Sequence, residues 1–205
     1  MVERAPSPRL HVVSTSPPPV PEVALAGDLT LRLRPILPSD KDGLHRGFDR
    51  LSPTSRYRRF LSPMLRLPPA MVVRFTEIDY VDHFAWVALD ARRQVDPGVA
   101  VARYIRCADA TGTADVAVTV VDEYQGRGVG SLLMRMLCTT ARGNGIERFS
   151  SLVLSDNHPM VRLLTGLGAR FRPDGYGALS FELDLGPTMR EIDRRSQPRY
   201  GRESA

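Results

Sequence analysis

Among the 28 lysine and arginine residues of this 205-residue chain only one, Lys41, is lysine. A Walker A loop closes on Gly-Lys-Ser/Thr, so ATP or GTP binding by that route is excluded. No run approaches the roughly 18 apolar residues that a membrane-spanning helix needs. The first 26 residues carry Pro6, Pro8, Pro17, Pro18, Pro19 and Pro21 but no apolar block of the length a secretory signal requires. These absences point to a cytoplasmic protein without a membrane partner. Cysteine is scarce too: Cys107 and Cys138 have no metal-ligand spacing. Such thiols are normally reduced core residues, so no metal site is expected. The formal charge is +5. Its basic residues are scattered instead of gathered on one helix face, which argues against nucleic acid as a partner.

What is present fits one domain with two tails. Residues 1–26 are expected to be a disordered Pro-rich lead-in, because they cannot bury enough apolar surface to offset the entropy of ordering. Residues 187–205, with Arg190, Arg194, Arg195, Arg199 and Arg202, read as a basic tail. Between them, 27–186 read as an α/β domain. Leu29, Leu31 and Leu33 alternate with polar neighbours as a strand does. Ser39 or Asp40 caps a helix running to about Leu51. Residues 51–79 are broken by prolines into short helices and turns, one opened by Pro68 or Pro69 and carrying Met71, Val72, Phe75 and Ile78. Runs at 84–89, 98–105 and 114–121 form an antiparallel meander, with turns at Asp96-Pro97-Gly98 and Thr111-Gly112-Thr113. The period then becomes helical through Val129, Leu132, Leu133, Met136, Leu137 and Ala141, up to Gly143-Asn144-Gly145. A strand at 149–154, a helix opened by Asp156 or Asn157, and a hairpin around Asp174-Gly175 complete the order β–α–α–β–β–β–α–β–α–β–β.

The junction of the third meander strand with the long helix is the chemically informative stretch. Val118-Thr119-Val120-Val121-Asp122-Glu123-Tyr124-Gln125-Gly126-Arg127-Gly128-Val129-Gly130 runs from a β-rich segment through glycines at alternate positions into a helix. That arrangement presents backbone N–H groups at the positive end of a helix dipole, where phosphate binds. A dinucleotide fingerprint places glycines at positions 1, 3 and 6 and opens a βαβ unit. Here they fall at 1, 3 and 5, with Ser131 in the sixth place, after the last strand of a meander. Glu147 lies near where a ribose-binding acid would, yet the order of elements is wrong for a nicotinamide or flavin. The plain structural alternative is a glycine turn that only lets the helix pack tightly on the sheet.

Gln125-Gly126-Arg127-Gly128-Val129-Gly130 resembles the Q/R-x-x-G-x-G/A pyrophosphate loop of the GNAT superfamily of acyl-CoA-dependent N-acetyltransferases. The element order over about 28–186 resembles that superfamily's as well. Asp156-Asn157-His158-Pro159-Met160 looks like its Asn at the start of the following helix. A closer similarity is to the catalytic domain of cyclic-AMP-regulated bacterial protein lysine acetyltransferases, carried by LSPTSRYRRF (51–60), EIDYVDHFAWV (77–87), DEYQGRGVGSLL (122–133) and ERFSSLVLSDNHPM (147–160). With about 27 residues ahead of the first strand, the regulatory cyclic-nucleotide domain and its control are expected to be absent.

The resemblance implies a GNAT-like, mostly antiparallel mixed sheet with a central pyrophosphate-loop helix. It implies acetyl-CoA as co-substrate in a cleft between strands 114–121 and 149–154. Backbone groups of Val118, Thr119 and Val120 would pair with pantetheine; the amides of Gln125, Gly126, Arg127, Gly128, Val129, Gly130 and Ser131 would take the pyrophosphate; Asn157 would orient the arm. Catalysis would be direct attack of an amine on the thioester. A lysine amine has a pKa near 10.4 and must lose a proton to attack. The family's glutamate base matches Asp115, one methylene shorter. Asp79, Asp82 and His83 are further candidates for the base or for substrate contact, and Arg56, Arg58 and Arg59 for contact with an acidic substrate. Glu123 reads as solvated. Leu164 stands where many members carry a tyrosine acid. The acceptor is expected to be a protein lysine; a small amine, or a non-catalytic acyl-CoA-binding module, is the alternative. The oligomeric state is expected to be monomer or dimer.

Overall fold

The computed structural model describes residues 22–25, 28–95 and 97–186. Strands β1 (Glu22–Leu25) and β2 (Leu29–Pro35) are followed by helices α1 (Lys41–Asp49), α2 (Pro53–Phe60) and α3 (Pro69–Thr76). The meander β3 (His83–Asp90), β4 (Gly98–Cys107) and β5 (Ala110–Val120) leads to α4 (Val129–Gly143). Then come β6 (Arg148–Leu154), α5 (His158–Gly166), β7 (Arg170–Gly175) and β8 (Ala178–Asp184). All eight strands form one sheet in the order β1-β2-β3-β4-β5-β6-β8-β7. Every neighbouring pair is antiparallel except β5 with β6. This is the mixed, mostly antiparallel sheet expected from the sequence. Among the described residues no helix is long and apolar enough to cross a membrane.

The period of the sequence decides how each element packs. In α4 the buried residues are Val129, Leu133, Met134, Leu137, Cys138 and Ala141, a helical stripe laid on the sheet. It meets Ala102, Tyr104, Val116 and Phe149 in the main core, and Trp86 Nε1 donates to Thr140 Oγ1 at 3.0 Å. Cys138 is fully buried and its thiol is pushed up to about 12 by that burial, so it is an inert core residue. The opposite face carries α1–α3 over two smaller apolar groups, one of Phe48, Leu51, Leu67 and Val72, the other of Ile36, Ala85 and Val87. Lys41, at the start of α1, reaches Glu77 after α3 at 2.5 Å.

Three expectations are corrected. Residues 22–25, assigned to the disordered lead-in, form a strand: free of proline, they pair with the edge of β2 from Glu22↔Arg32 to Leu25↔Leu29, while Val23 and Leu25 pack on the core. Residues 1–21 and the tail at 187–205 lie outside the described residues. The second meander turn is Ala108-Asp109, between Cys107 and Ala110, and Thr111-Gly112-Thr113 lies inside β5. The β-branched threonines outweigh the single glycine there, and the Gly112 carbonyl accepts from Glu147 N at 2.8 Å. Lastly, α3 stops at Thr76, so Ile78 packs in a separate apolar group with Ile36 and Ala85.

Candidate active site

The parallel ladder of β5 with β6 consists of Thr113↔Arg148 and Ala114↔Phe149. Beyond it the strands part: β5 stays bonded to β4 up to Ala100↔Val120, while β6 runs with β8 up to Leu154↔Ala178. The edge of β5 from Asp115 to Val120 therefore faces a gap, with main-chain groups that an added extended chain could meet. Along β5 the side chains alternate. Val118 and Val120 point toward α4, where a Cβ on Gly130 would lie 3.8 and 3.7 Å from their methyls and 3.5 Å from Leu163. Asp115, Ala117 and Thr119 point to the other face. Asp115 is exposed and is the first residue past the ladder, so it stands at the fork.

The outer end of the gap is the glycine loop. A short turn at Asp122–Tyr124 is anchored by Tyr124, whose hydroxyl donates to Asp90 Oδ2 at 2.8 Å. Gly126 and Gly128 have φ of 71° and 83°. These values strain any residue with a Cβ. Gly128 caps α4, whose first internal bond runs from Leu132 N to Gly128 O at 3.0 Å. The N–H groups of Val129, Gly130 and Ser131 precede that ladder and form the positive end of a 15-residue helix. The Arg127 guanidinium lies over the Tyr124 ring at 5.6 Å.

Residues 57–169 match the profile described as the Acetyltransferase (GNAT) family. The chain belongs to that family. Acetyltransferase Pat of Mycolicibacterium smegmatis is 37% identical over 170 residues, 82% of this chain and 50% of its own length. Acetyltransferase PA5475 of Pseudomonas aeruginosa is 35% identical over 136 residues, 66% of this chain and 73% of its own. The crystal structure of the GNAT domain of S. lividans PAT superposes with a TM-score of 0.73 at 32% identity, over 80% of this chain and 96% of that one. The chain thus spans about half the length of Pat.

As a GNAT fold, the protein departs from the expected set in detail. The Gln125 side chain folds back on its own loop while staying exposed, its Nε2 sharing two hydrogens among Asp122 Oδ1 (2.7 Å), Val120 O (3.0 Å) and Ser55 Oγ (3.2 Å), while its own N–H donates to Asp122 O. It is thus a strut of the loop, and the outward amides begin after it. Asn157 caps α5, its Oδ1 accepting from Met160 N at 3.4 Å. Leu164 is fully buried in the core. Asp79 is an internal brace: it accepts from the backbone N–H of Val81, Asp82 and His83, and the His83 bond, ahead of opposing burial, holds its carboxyl below the usual range. Asp82 pairs with Arg106 at 2.6 Å. Glu123 is exposed beside Arg50 and Arg93.

His83 does share a row with the fork, because His83↔Ile105 and Ile105↔Asp115 are register partners. Burial, helped by the charge of Arg103, pushes its pKa down to about 4, so it is neutral at pH 7 and accepts from Arg103 Nη1 at 3.0 Å. The arginines of α2 divide. Arg56 covers the Phe48 ring at 4.3 Å and bonds two carbonyls; Arg58 reaches Asp156 O at 2.9 Å. Arg59 senses the charge of Asp115, which partly offsets the lowering that burial imposes on its pKa.

Two functional features escaped the sequence reading. Asp122 clamps the glycine loop to α2 by accepting from Ser52 N at 2.6 Å and from Ser55 Oγ. Burial alone would raise its pKa, but these bonds outweigh it and keep the carboxyl ionised. Its signal is visible only as an acid directly before the loop, since its partners lie some 70 residues away. The other is Arg103, a charge inside the apolar run VAVARYI and the register partner of Ala117.

Proposed function

We propose that the protein transfers an acetyl group from acetyl-CoA to the Nε of a protein lysine. What carries this reading is the position of Asp115 at the fork of β5 and β6, at the inner end of a gap whose outer end is the glycine loop. Its family membership and its identity to Pat over 82% of the chain support the same reaction.

The residues fit the co-substrate. The amides of Gly126 to Ser131 and the dipole of α4 would take the pyrophosphate. The exposed edge at Val118, Thr119 and Val120 would pair with the pantetheine amides as an added strand, and the Asn157 amide nitrogen would remain to contact the arm. The thioester carbon then falls beside Asp115, and the bound thioester supplies the electrophile.

The lysine arrives as an ammonium, and Asp115 takes its proton directly or through one water, within the roughly 2.6–3.2 Å reach that each such transfer needs. The freed amine attacks the carbonyl carbon; the C–N bond forms, the C–S bond breaks with its electron pair leaving on sulfur, and the attacking nitrogen gives up its second proton to water. A thiol has a pKa of about 8.5, so its thiolate departs without an acid. Leu164 in the tyrosine position is compatible with this chemistry.

The test is transfer of labelled acetyl from acetyl-CoA to the proteins of a bacterial extract, with native protein and Asp115→Asn side by side. Labelled lysines that disappear with the variant support both parts of the reading. Equal labelling by both removes Asp115 as the base. Labelling of small amines alone removes the protein acceptor.

A further inference from the structure

On the Asp115 face, a cavity of about 260 Å³ lies between the sheet and α1–α3. It is several times the ~30 Å³ that one water occupies in the liquid. Its floor includes Val87, Val99, Val101, Ala117 and Thr119, yet Arg34, Arg46, Arg50, Arg59 and Arg103 all line it, against one carboxylate, Asp40. That carboxylate is taken by Arg34 through two bonds of 2.7 Å. Arg50 donates to the Gly98 carbonyl at 2.7 Å and reaches Glu123.

Arg59 and Arg103 have no such ion pair, although the charge of Asp115 acts on Arg59. Arg103 is only 5% exposed, donates to the Phe75 carbonyl and to neutral His83, and stacks on the Phe75 ring at 4.0 Å. Arg59 lies over the same ring at 5.8 Å. Among the described residues, no carboxylate forms an ion pair with either. Each therefore repels the other, and burial with that repulsion pushes the Arg103 pKa down to about 9, still cationic at neutral pH. Two like charges facing one cavity, with Asp115 offsetting only part of the cost at Arg59, cost free energy that a bound anion would recover.

Their place beside β5 identifies the anion. If the glycine loop holds the pyrophosphate and Val118–Val120 the pantetheine, the acyl carbon reaches Asp115 and Ala117. Ala117 is the register partner of Arg103 and lines the cavity. Ala117, Arg59 and Arg103 thus line one cavity. We propose that Arg59 and Arg103 form a carboxylate subsite for the far end of the transferred acyl group, so that the enzyme takes dicarboxylyl thioesters of the succinyl-CoA class. The proposal rests on the reading that the thioester lies at Asp115. The transfer keeps its balance: the amine nitrogen bonds to the thioester carbon, the C–S pair leaves on sulfur, the ammonium proton goes to Asp115, the nitrogen's second proton goes to water, and the distal carboxylate is unchanged.

Calorimetric titration with succinyl-CoA and butyryl-CoA, which share a four-carbon chain and differ at its end, reads the subsite without an acceptor. Succinyl-CoA is expected to bind about ten- to a hundred-fold more tightly, the range for hydrogen bonds to a charged group. The preference should collapse in Arg59→Met and return in part in Arg59→Lys. Equal affinity of the native protein for the two thioesters overturns the proposal, whether or not the variants fold, and so does a preference that survives Arg59→Met. The acetyl transfer assay is scored separately. A protein that prefers succinyl-CoA but acetylates nothing keeps the subsite and loses the lysine reading; one that acetylates lysines and shows no preference does the reverse.

Discussion

The two faces of the β3–β5 meander are built from the same three strands and do different work. On the α4 side, rows such as Phe84–Tyr104–Val116 and Trp86–Ala102–Val118 meet a helix that buries its apolar stripe. On the α1–α3 side, the rows are His83–Ile105–Asp115 and Ala85–Arg103–Ala117, one residue out of phase. A strand's period of two therefore puts a dry packing surface and a charged one back to back. The first fixes the sheet; the second is free to hold groups that a core would reject.

Substitutions can break this division. The largest effect is expected for Asp115→Asn: acetyl transfer falls about 10²–10⁴-fold, the contribution of a general base, while the melting temperature stays put because the side chain is exposed. Leu137→Ala, on the other face, should do the opposite, lowering stability by about 2–5 kcal/mol in denaturant titrations as a fully buried leucine becomes a cavity. A large activity loss in Leu137→Ala at temperatures where it is folded, or a large stability loss in Asp115→Asn, would end the claim that the faces are separable.

Smaller effects sharpen it. Gly128→Ala places a Cβ at φ 83°, a strain of about 1–2 kcal/mol. We expect acetyl-CoA to bind roughly tenfold more weakly in calorimetry, with little change in the sheet's circular dichroism. His83 supplies a pH test. Its pKa is about 6.5 when unfolded and about 4 when folded. Between those values the unfolded chain binds more protons, so stability falls as pH drops from 6.5 toward 4. In His83→Gln that part of the slope should vanish; an unchanged slope would show that His83 is not held neutral by burial and Arg103.

The sequence made α4 and its loop plain because two local signals coincide there: the period changes from two to 3.6, and glycines mark the joint. Asp115 and Asn157 could be placed by resemblance, although only the register shows that Asp115 stands where β5 and β6 part. What stayed hidden depends on partners distant in sequence. Arg103 reads as one charge in an apolar strand until β5 and α2 bring Ala117 and Arg59 beside it. Asp122 gains its meaning from Ser52 and Ser55, and β1 from an edge that β2 leaves open. Gln125 matched the loop pattern, yet its side chain folds back on Asp122, Val120 and Ser55, a direction that spacing does not encode.

Lys41, the single lysine of these 205 residues, is half in use, bridging to Glu77 at 2.5 Å with 40% of its side chain exposed. If its product is the acylated lysine proposed above, this makes the catalyst nearly its own blank. Self-labelling within this sequence saturates at one side-chain acyl group per chain, so any signal above that ratio in a reaction vessel belongs to the acceptor. Occupancy of that one position, with the loss of the Glu77 contact it brings, can be followed by mass as a built-in record of how long the enzyme has sat with its donor.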